Sequence, residues 1–514
     1  MKSEAESWCV HTRIGTCVLV GLLVFFFHLP FAQNNLFFDD AADYVRASDS
    51  AFLSTWLNTN SASPIQLFHL RQEQSFRSHP WDYLYIANDN MALRHFHVPV
   101  SFYALHFVRD FSTSAQPERL LISSVSSLTC ALIVLVLVNF SVPFPLAALL
   151  ALLAGVQSRY IEVSVDPTPH AWYMLFALCF LFFFIRYLLT NRNRELYFAT
   201  VAFALTFATL EFSVELIASV PLALSLIALF VKSPLPSWQA VRNPARKAVA
   251  LFLLMTLLLW PGGWLRGGFF ECYGVLAATV VFKNHTAFGG KLTAGVIYQT
   301  LFAGHAILLL ATVFCVVGIL ILLLRRSLSI PTIVFASYSL VTFGLGMADH
   351  FRLSTYISEF LLFLIATAGL VFVDVEQAFF HRAFSRRVFL SVFALAVVVG
   401  CFSECRHRED AMEFRPWLTP ILSGIREKVP AGETLLVTDD WEALCLYLPQ
   451  YRFEPTKAKN SAEPRSELRA TKIRYYLFDG TVPAHTVSSP LAVYSTYPGR
   501  TEVLWKVAEE HSTR

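Results

Sequence analysis

The stretch Phe37-Phe38-Asp39-Asp40-Ala41-Ala42-Asp43-Tyr44 follows closely on the apolar run Ile14 to Phe31. Two adjacent carboxylates at the exit of a hydrophobic span stand where hydrocarbon gives way to water, a costly place for charge and one that marks function. A polar segment continues to His97 and closes with Arg94-His95-Phe96-His97-Val98-Pro99 before the chain turns apolar again. These residues read as the floor of an active site, and the remainder as the frame that holds it at a bilayer surface.

Composition agrees with a bilayer frame. With 55% apolar residues, 15% charged residues and 47 Phe in 514 positions, the chain is predicted to be a polytopic α-helical membrane protein. Several runs of about eighteen or more residues lack charge and are long enough to cross hydrocarbon, and candidate spans fall at about 14–31, 118–138, 142–160, 168–190, 196–211, 213–231, 247–264, 298–324, 330–347, 352–372 and 387–403. The first lacks a small-x-small cleavage site and is read as an uncleaved span. The nine Cys show no C-x-x-C and no Cys/His spacing suited to zinc, which argues against a redox or thiolate-metal role; Cys405 and Cys445 read as two unrelated small residues in preference to a pair facing an oxidising compartment. No Walker or G-x-G-x-x-G motif is present, so no nucleotide cofactor is predicted. A net charge of +3 gives no reason to expect a nucleic acid partner.

Charge then sets the topology. Basic clusters at Arg192/Arg194, at Lys232 with Arg242, Arg246 and Lys247, at Arg325/Arg326 and at Arg382 with Arg386 and Arg387 are placed inside by the positive-inside rule. The N-terminus is then cytoplasmic. The first loop, about 32–97, the Asp166 loop, the 265–297 loop and the tail beyond 404 lie outside. Segment 98–111 must not cross if this is to hold, so it is predicted as a short re-entrant or interfacial helix, leaving about eleven full spans. The spacing of Tyr44, Ala47, Ala51 and Trp56 predicts an amphipathic interfacial helix over Asp43–Leu57.

Near Glu404 the chain becomes charged and alternating. A helix at Leu418–Lys428, a buried strand at Thr434–Val437, a helix at Glu442–Leu448 and strands near Ile473–Phe478, Ala492–Tyr497 and Glu502–Val507 predict a small α/β domain. Residues 1–403 are thus read as the transmembrane domain and 404–514 as an extracytoplasmic α/β domain. Asp439-Asp440 after the first strand reads as a helix N-cap in preference to a ligand-binding crest.

In order, the chain shows a span, Asp39-Asp40, a long polar loop, His97-Val98-Pro99 opening a short aromatic helix, and Val165-Asp166-Pro167 after a later span. This ordered set resembles the GT-C membrane glycosyltransferases of the protein O-mannosyltransferase and aminoarabinose transferase type. Those usually carry Asp-Glu where this chain has Asp39-Asp40, and His-Pro-Pro or Phe-Glu-Lys-Pro where it has Phe96-His97-Val98-Pro99. The resemblance implies sugar transfer from a polyprenyl-phosphate donor to an acceptor glycolipid, protein or polysaccharide at the external membrane face of the cell envelope, in a plasma or inner membrane.

Such transfer needs a base for the acceptor hydroxyl and positive charge for the departing phosphate. Asp39 and Asp40 fit the base, since a carboxyl shielded at a span end is a better proton acceptor, and by the resemblance they are also the residues to hold a divalent metal ion. The same pair serves equally to cap the interfacial helix. His97 stands where an acceptor- or metal-handling group would, or as an interfacial polar residue. Asp166 either faces the same cavity or caps the next helix. For the donor phosphate the candidates are Lys283, His285 and Arg352; a guanidinium grips phosphate through two donors, and the alternative for Arg352 is an intramolecular pair with Asp349 or Glu359. Glu211 and Glu215, four residues apart between apolar halves, line the cavity or an external turn and rank below the loop carboxylates. A transporter or flippase of a lipid-linked or amphiphilic substrate would use the same carboxylates. A non-catalytic membrane scaffold or sensor would need none of them.

Overall fold

The computed structural model describes residues 2–32, 45, 48, 52–58, 98–109, 116–231, 238–270, 272–274, 295, 302, 305–348, 354–406, 418–437, 441–455, 473–479, 488–497 and 500–507. Its two compact units comprise Met1–Gln33 with Ala47–Ala411, and Asn34–Arg46 with Met412–Arg514.

In the first unit the helices are α1 (Lys2–Ala32), α2 (Phe52–Trp56), α3 (Val100–Arg109), α4 (Gln116–Asn139), α5 (Phe144–Val156), α6 (Ser158–Val165), α7 (His170–Thr190), α8 (Asn193–Phe207), α9 (Val214–Phe230), α10 (Trp238–Leu259), α11 (Pro261–Leu265), α12 (Ala306–Arg325), α13 (Ile330–Ala348), α14 (Ser354–Phe379) and α15 (Ala383–Arg406). Among the described residues seven helices are long and apolar enough to cross a membrane, eight if the bent pair α5–α6 is counted as one. This is a multi-pass membrane architecture.

Burial sorts the helices. Of the apolar window in α14, 94% lies inside the bundle, against 22% for α12 and 17% for α15. Helix α14 is therefore central, and polar groups on it must be satisfied by protein: Asp374 Oδ2 accepts the backbone N–H of Ser329 at 2.9 Å, just before α13. The outer faces of α12 and α15 show Leu310, Val313, Leu320, Leu324, Val392 and Phe402, the apolar surface expected against lipid. The His305 ring, at the start of α12, bonds both oxygens of Glu404 on α15 through Nδ1 at 2.9 and 3.0 Å, and joins these two outer helices.

Three segments differ from the sequence reading. The run 142–160 is not one straight span: α5 stops at Val156, Gln157 is extended (φ −67°, ψ 130°), and α6 leaves at 69°. The apolar run ends there, and the amphipathic SRYIEVSV of α6 has no reason to continue along the hydrocarbon. The run 247–264 breaks at Trp260, after which Pro261 opens α11. The run 298–324 is helical in α12 only from Ala306. Within segment 98–111, Val100–Arg109 forms the short helix α3.

The first loop is pinned where it is described. Trp56 Nε1 donates to Leu258 O and Trp260 Nε1 to Thr55 O, both at 3.0 Å, so two indoles interlock α2 with the end of α10. Tyr103 of α3 donates to Leu259 O at 2.9 Å. No Cβ fits at Gly262, whose α-carbon lies against the Leu57–Asn58 backbone; only glycine permits this approach.

The second unit holds α16 (Leu418–Lys428), α17 (Trp441–Tyr447) and strands β1 (Thr434–Val437), β2 (Arg452–Pro455), β3 (Tyr475–Asp479), β4 (Ser488–Tyr497) and β5 (Arg500–Val507). The sheet runs β2-β1-β3-β5-β4, with β1 parallel to β2 and β3, and β5 antiparallel to β3 and β4. Leu436, Ile473, Tyr476, Val503 and Trp505 form one core face. Strand β2 was not anticipated from the sequence. Asp439-Asp440 lie outside the described residues.

Candidate active site

Asp166 is placed by the residue after it. Proline disfavours helix in the preceding residue, so α6 ends at Val165 and Asp166 is extended (φ −95°, ψ 137°). Its carbonyl accepts the Thr168 N–H at 2.7 Å, turning the chain into α7. The carboxylate is 24% exposed and is held from behind by Arg119, whose side chain is fully buried. Arg119 Nη1 donates to Asp166 Oδ1 at 3.2 Å and to Val165 O at 3.3 Å. The Asp166 carboxylate is thus oriented by a buried guanidinium and remains partly exposed.

Arg119 belongs to a face of α4 whose members recur at helical spacing. Below it, Ser123 Oγ donates to Ser164 O at 3.0 Å, and Ser126 O accepts Tyr160 OH at 2.9 Å. This ladder fixes α6 along α4 and sets the height at which Asp166 emerges. In the last turn of α1, Phe31 and Ala32 pack on Ile161 and Val165 of α6. The end of α1 therefore lies beside the end of α6, next to Asp166.

Asp39, Asp40, His97, Lys283, His285 and Arg352 lie outside the described residues. Two of them have described neighbours. Val98, directly after His97, is buried with Ala208, Trp260, Phe269 and Cys272, and the Val100 N–H donates to Ala208 O at 3.0 Å. Helix α14 starts two residues after Arg352, and its Ser358 Oγ donates to Arg159 O of α6. Among the described residues no cluster of three or more His, Cys, Asp or Glu is arranged to hold a metal ion. The metal expectation rests on Asp39 and Asp40.

Glu211 and Glu215 are buried at the same end of the bundle, at 5% and 2% exposure. Glu211 opens the 3-10 turn Glu211–Ser213 that leads into α9. Glu215 accepts from Tyr173 of α7 at 3.2 Å and from Thr342 of α13 at 3.2 Å. Glu359 accepts from Tyr338 of α13 at 2.7 Å. Sequence reading singled out Glu215 but not its partners, and it missed Arg119. The signal for Arg119 was the pair Glu118-Arg119 at the mouth of an otherwise uncharged span, because a charge there needs a protein partner.

A multi-pass helical bundle with a bent helix pair and a separate mixed α/β unit is the architecture of this chain. The fold is similar to that of ArnT. The crystal structure of ArnT from Cupriavidus metallidurans in the apo state superposes with a TM-score of 0.55 at 13% identity, covering 98% of both chains. The structure of that protein bound to undecaprenyl phosphate gives a TM-score of 0.53 at 13% identity, covering 98% of this chain and 99% of the other. No protein-family profile and no curated protein matches the chain in sequence. The likeness to ArnT agrees with the fold that the ordered motifs imply.

Proposed function

We propose that this protein is an integral membrane glycosyltransferase that moves a sugar from a polyprenyl-phosphate donor to an acceptor hydroxyl at the external membrane face. The observation that carries this reading is the ArnT fold over 98% of both chains, with one ArnT structure bound to undecaprenyl phosphate. The Arg119-held carboxylate of Asp166 at the bundle end supports it.

In this reading Asp39 removes the proton from the acceptor hydroxyl as its oxygen attacks the anomeric carbon, and the sugar–phosphate C–O bond breaks in the same step. The electron pair leaves with the lipid phosphate, whose growing charge is met by Arg352, Lys283 and His285. One-step attack inverts the anomeric centre. Asp166, anchored by Arg119, and His97 position the acceptor. If Asp39 and Asp40 hold a divalent ion, that ion supplies positive charge for the same phosphate. The membrane anchors the donor tail, so both substrates meet at the surface.

Mass spectrometry of lipid co-purifying with the protein tests the donor class. An isoprenyl phosphate, free or carrying a sugar, is expected. Enrichment of other lipids alone, together with substrate flux into proteoliposomes without covalent transfer, would establish the transporter reading instead.

A further inference from the structure

At the end of the bundle where Asp166 emerges, two carboxyl groups meet in the interior. Glu359 is fully buried and Glu215 is 2% exposed, each within about two turns of the start of its helix. Tyr338 bridges them: its hydroxyl lies 2.7 Å from Glu359 Oε1 and 3.5 Å from Glu215 Oε2. The two carboxyls are also within hydrogen-bonding reach of each other.

The donors around them can be counted. Tyr338 has one proton, directed at Glu359 Oε1. Thr342 has one, directed at Glu215 Oε2. Tyr173 has one, with Phe212 O at 3.0 Å, the Tyr338 hydroxyl at 2.9 Å and Glu215 Oε2 at 3.2 Å as its acceptors. Glu359 Oε2 is buried and accepts from no donor among the described residues.

Among the described residues no cation offsets the charge. Other titratable or charged groups near the pair are His170, stacked on Phe212, Glu211, and Tyr273, whose hydroxyl pairs with Ser213. Arg159 on α6 reaches α14 through its backbone carbonyl, at Ser358. None of the described ion pairs involves Glu215 or Glu359. Two carboxylates in contact inside a membrane bundle repel and are desolvated, and the available remedy is a shared proton.

We propose that Glu215 and Glu359 bind one proton between them, forming an acid–carboxylate site that ties α9 to α14 at the end of the bundle carrying Asp166. The proton fills the place that a donor to Glu359 Oε2 would otherwise take. Through Tyr338, Thr342 and Tyr173 the same site engages α13 and α7. It therefore sets the register of four helices, including the first turns of α14 that follow Arg352.

Infrared spectroscopy of the full chain in lipid nanodiscs at neutral pH tests this without reference to activity. A protonated-carboxyl C=O band is expected that shifts when glutamate is 13C-labelled at the carboxyl, exchanges slowly in heavy water, and is lost in the double variant Glu215→Gln/Glu359→Gln. Glutamine keeps the shape and neutrality, so the double variant should elute as the wild type does. Absence of a labelled-glutamate band from the wild type overturns the proposal, whether or not the variant folds. So does a band unchanged in the folded double variant. Stabilisation of the wild type, but not of the variant, by added sodium or potassium would also overturn it by showing that a metal cation occupies the site.

Discussion

Arg119 Nη1 lies 3.2 Å from Asp166 Oδ1, a fully buried guanidinium behind a carboxylate that is 24% exposed. Removing one partner of a buried ion pair costs about 3–5 kcal/mol, and the exposure of Asp166 puts this pair at the lower end. Arg119→Met should therefore lower the melting temperature and abolish turnover. The double variant Arg119→Met/Asp166→Asn should regain stability and not activity, because no charge is stranded but the oriented carboxylate is gone. Thermal unfolding and turnover of the three proteins check this; additive losses in stability would show that the two residues act independently.

Gly262 separates α11 from the Leu57–Asn58 backbone by less than a methyl group requires. Gly262→Ala must push the two apart and break the interlocked Trp56 and Trp260 hydrogen bonds. Overpacking of this kind costs about 1–3 kcal/mol. Gly274→Ala, where nothing lies within 4 Å of the added methyl, is the control. Limited proteolysis should cut the first loop faster in Gly262→Ala only.

Orientation is tested by single cysteines and an impermeant thiol reagent added from outside. Positions near Asn60, Asp166 and Lys283 and in the tail beyond 404 should label, and those near Arg192, Arg246 and Arg386 should not. A tail that labels only after permeabilisation would move the proposed catalytic face to the cytoplasm.

The elements legible in the sequence are those whose signal is local. Apolar length betrayed α7, α12 and α14, and the Pro430-Ala431-Gly432 turn between α16 and β1 marked both neighbours. Asp166-Pro167 was legible because proline acts on the residue before it. The break at Gln157 was also marked locally, by the change from the apolar α5 to the amphipathic SRYIEVSV of α6, but the sequence reading carried the span through it to residue 160. Strand β2 is four residues ending in Pro455 and exists by pairing with β1, a contact without local trace. Glu359 is an isolated acid in its own stretch; its neighbour Glu215 comes from a helix far away in the chain, and only the fold brings them together.

The central claim is sugar transfer from an isoprenoid carrier, and the most direct measurement is release of lipid phosphate when the purified protein meets a panel of polyprenyl-phosphate sugars and acceptors. The wild type should release the lipid phosphate in step with glycosylated acceptor. Asp39→Asn should lose ~10²–10⁴-fold in turnover, the usual consequence of removing a general base, with expression and donor binding retained and Asp40→Asn milder. Wild-type turnover in Asp39→Asn would return Asp39-Asp40 to the role of a helix cap. A wild-type protein that neither binds nor turns over any donor of the panel would contradict the account.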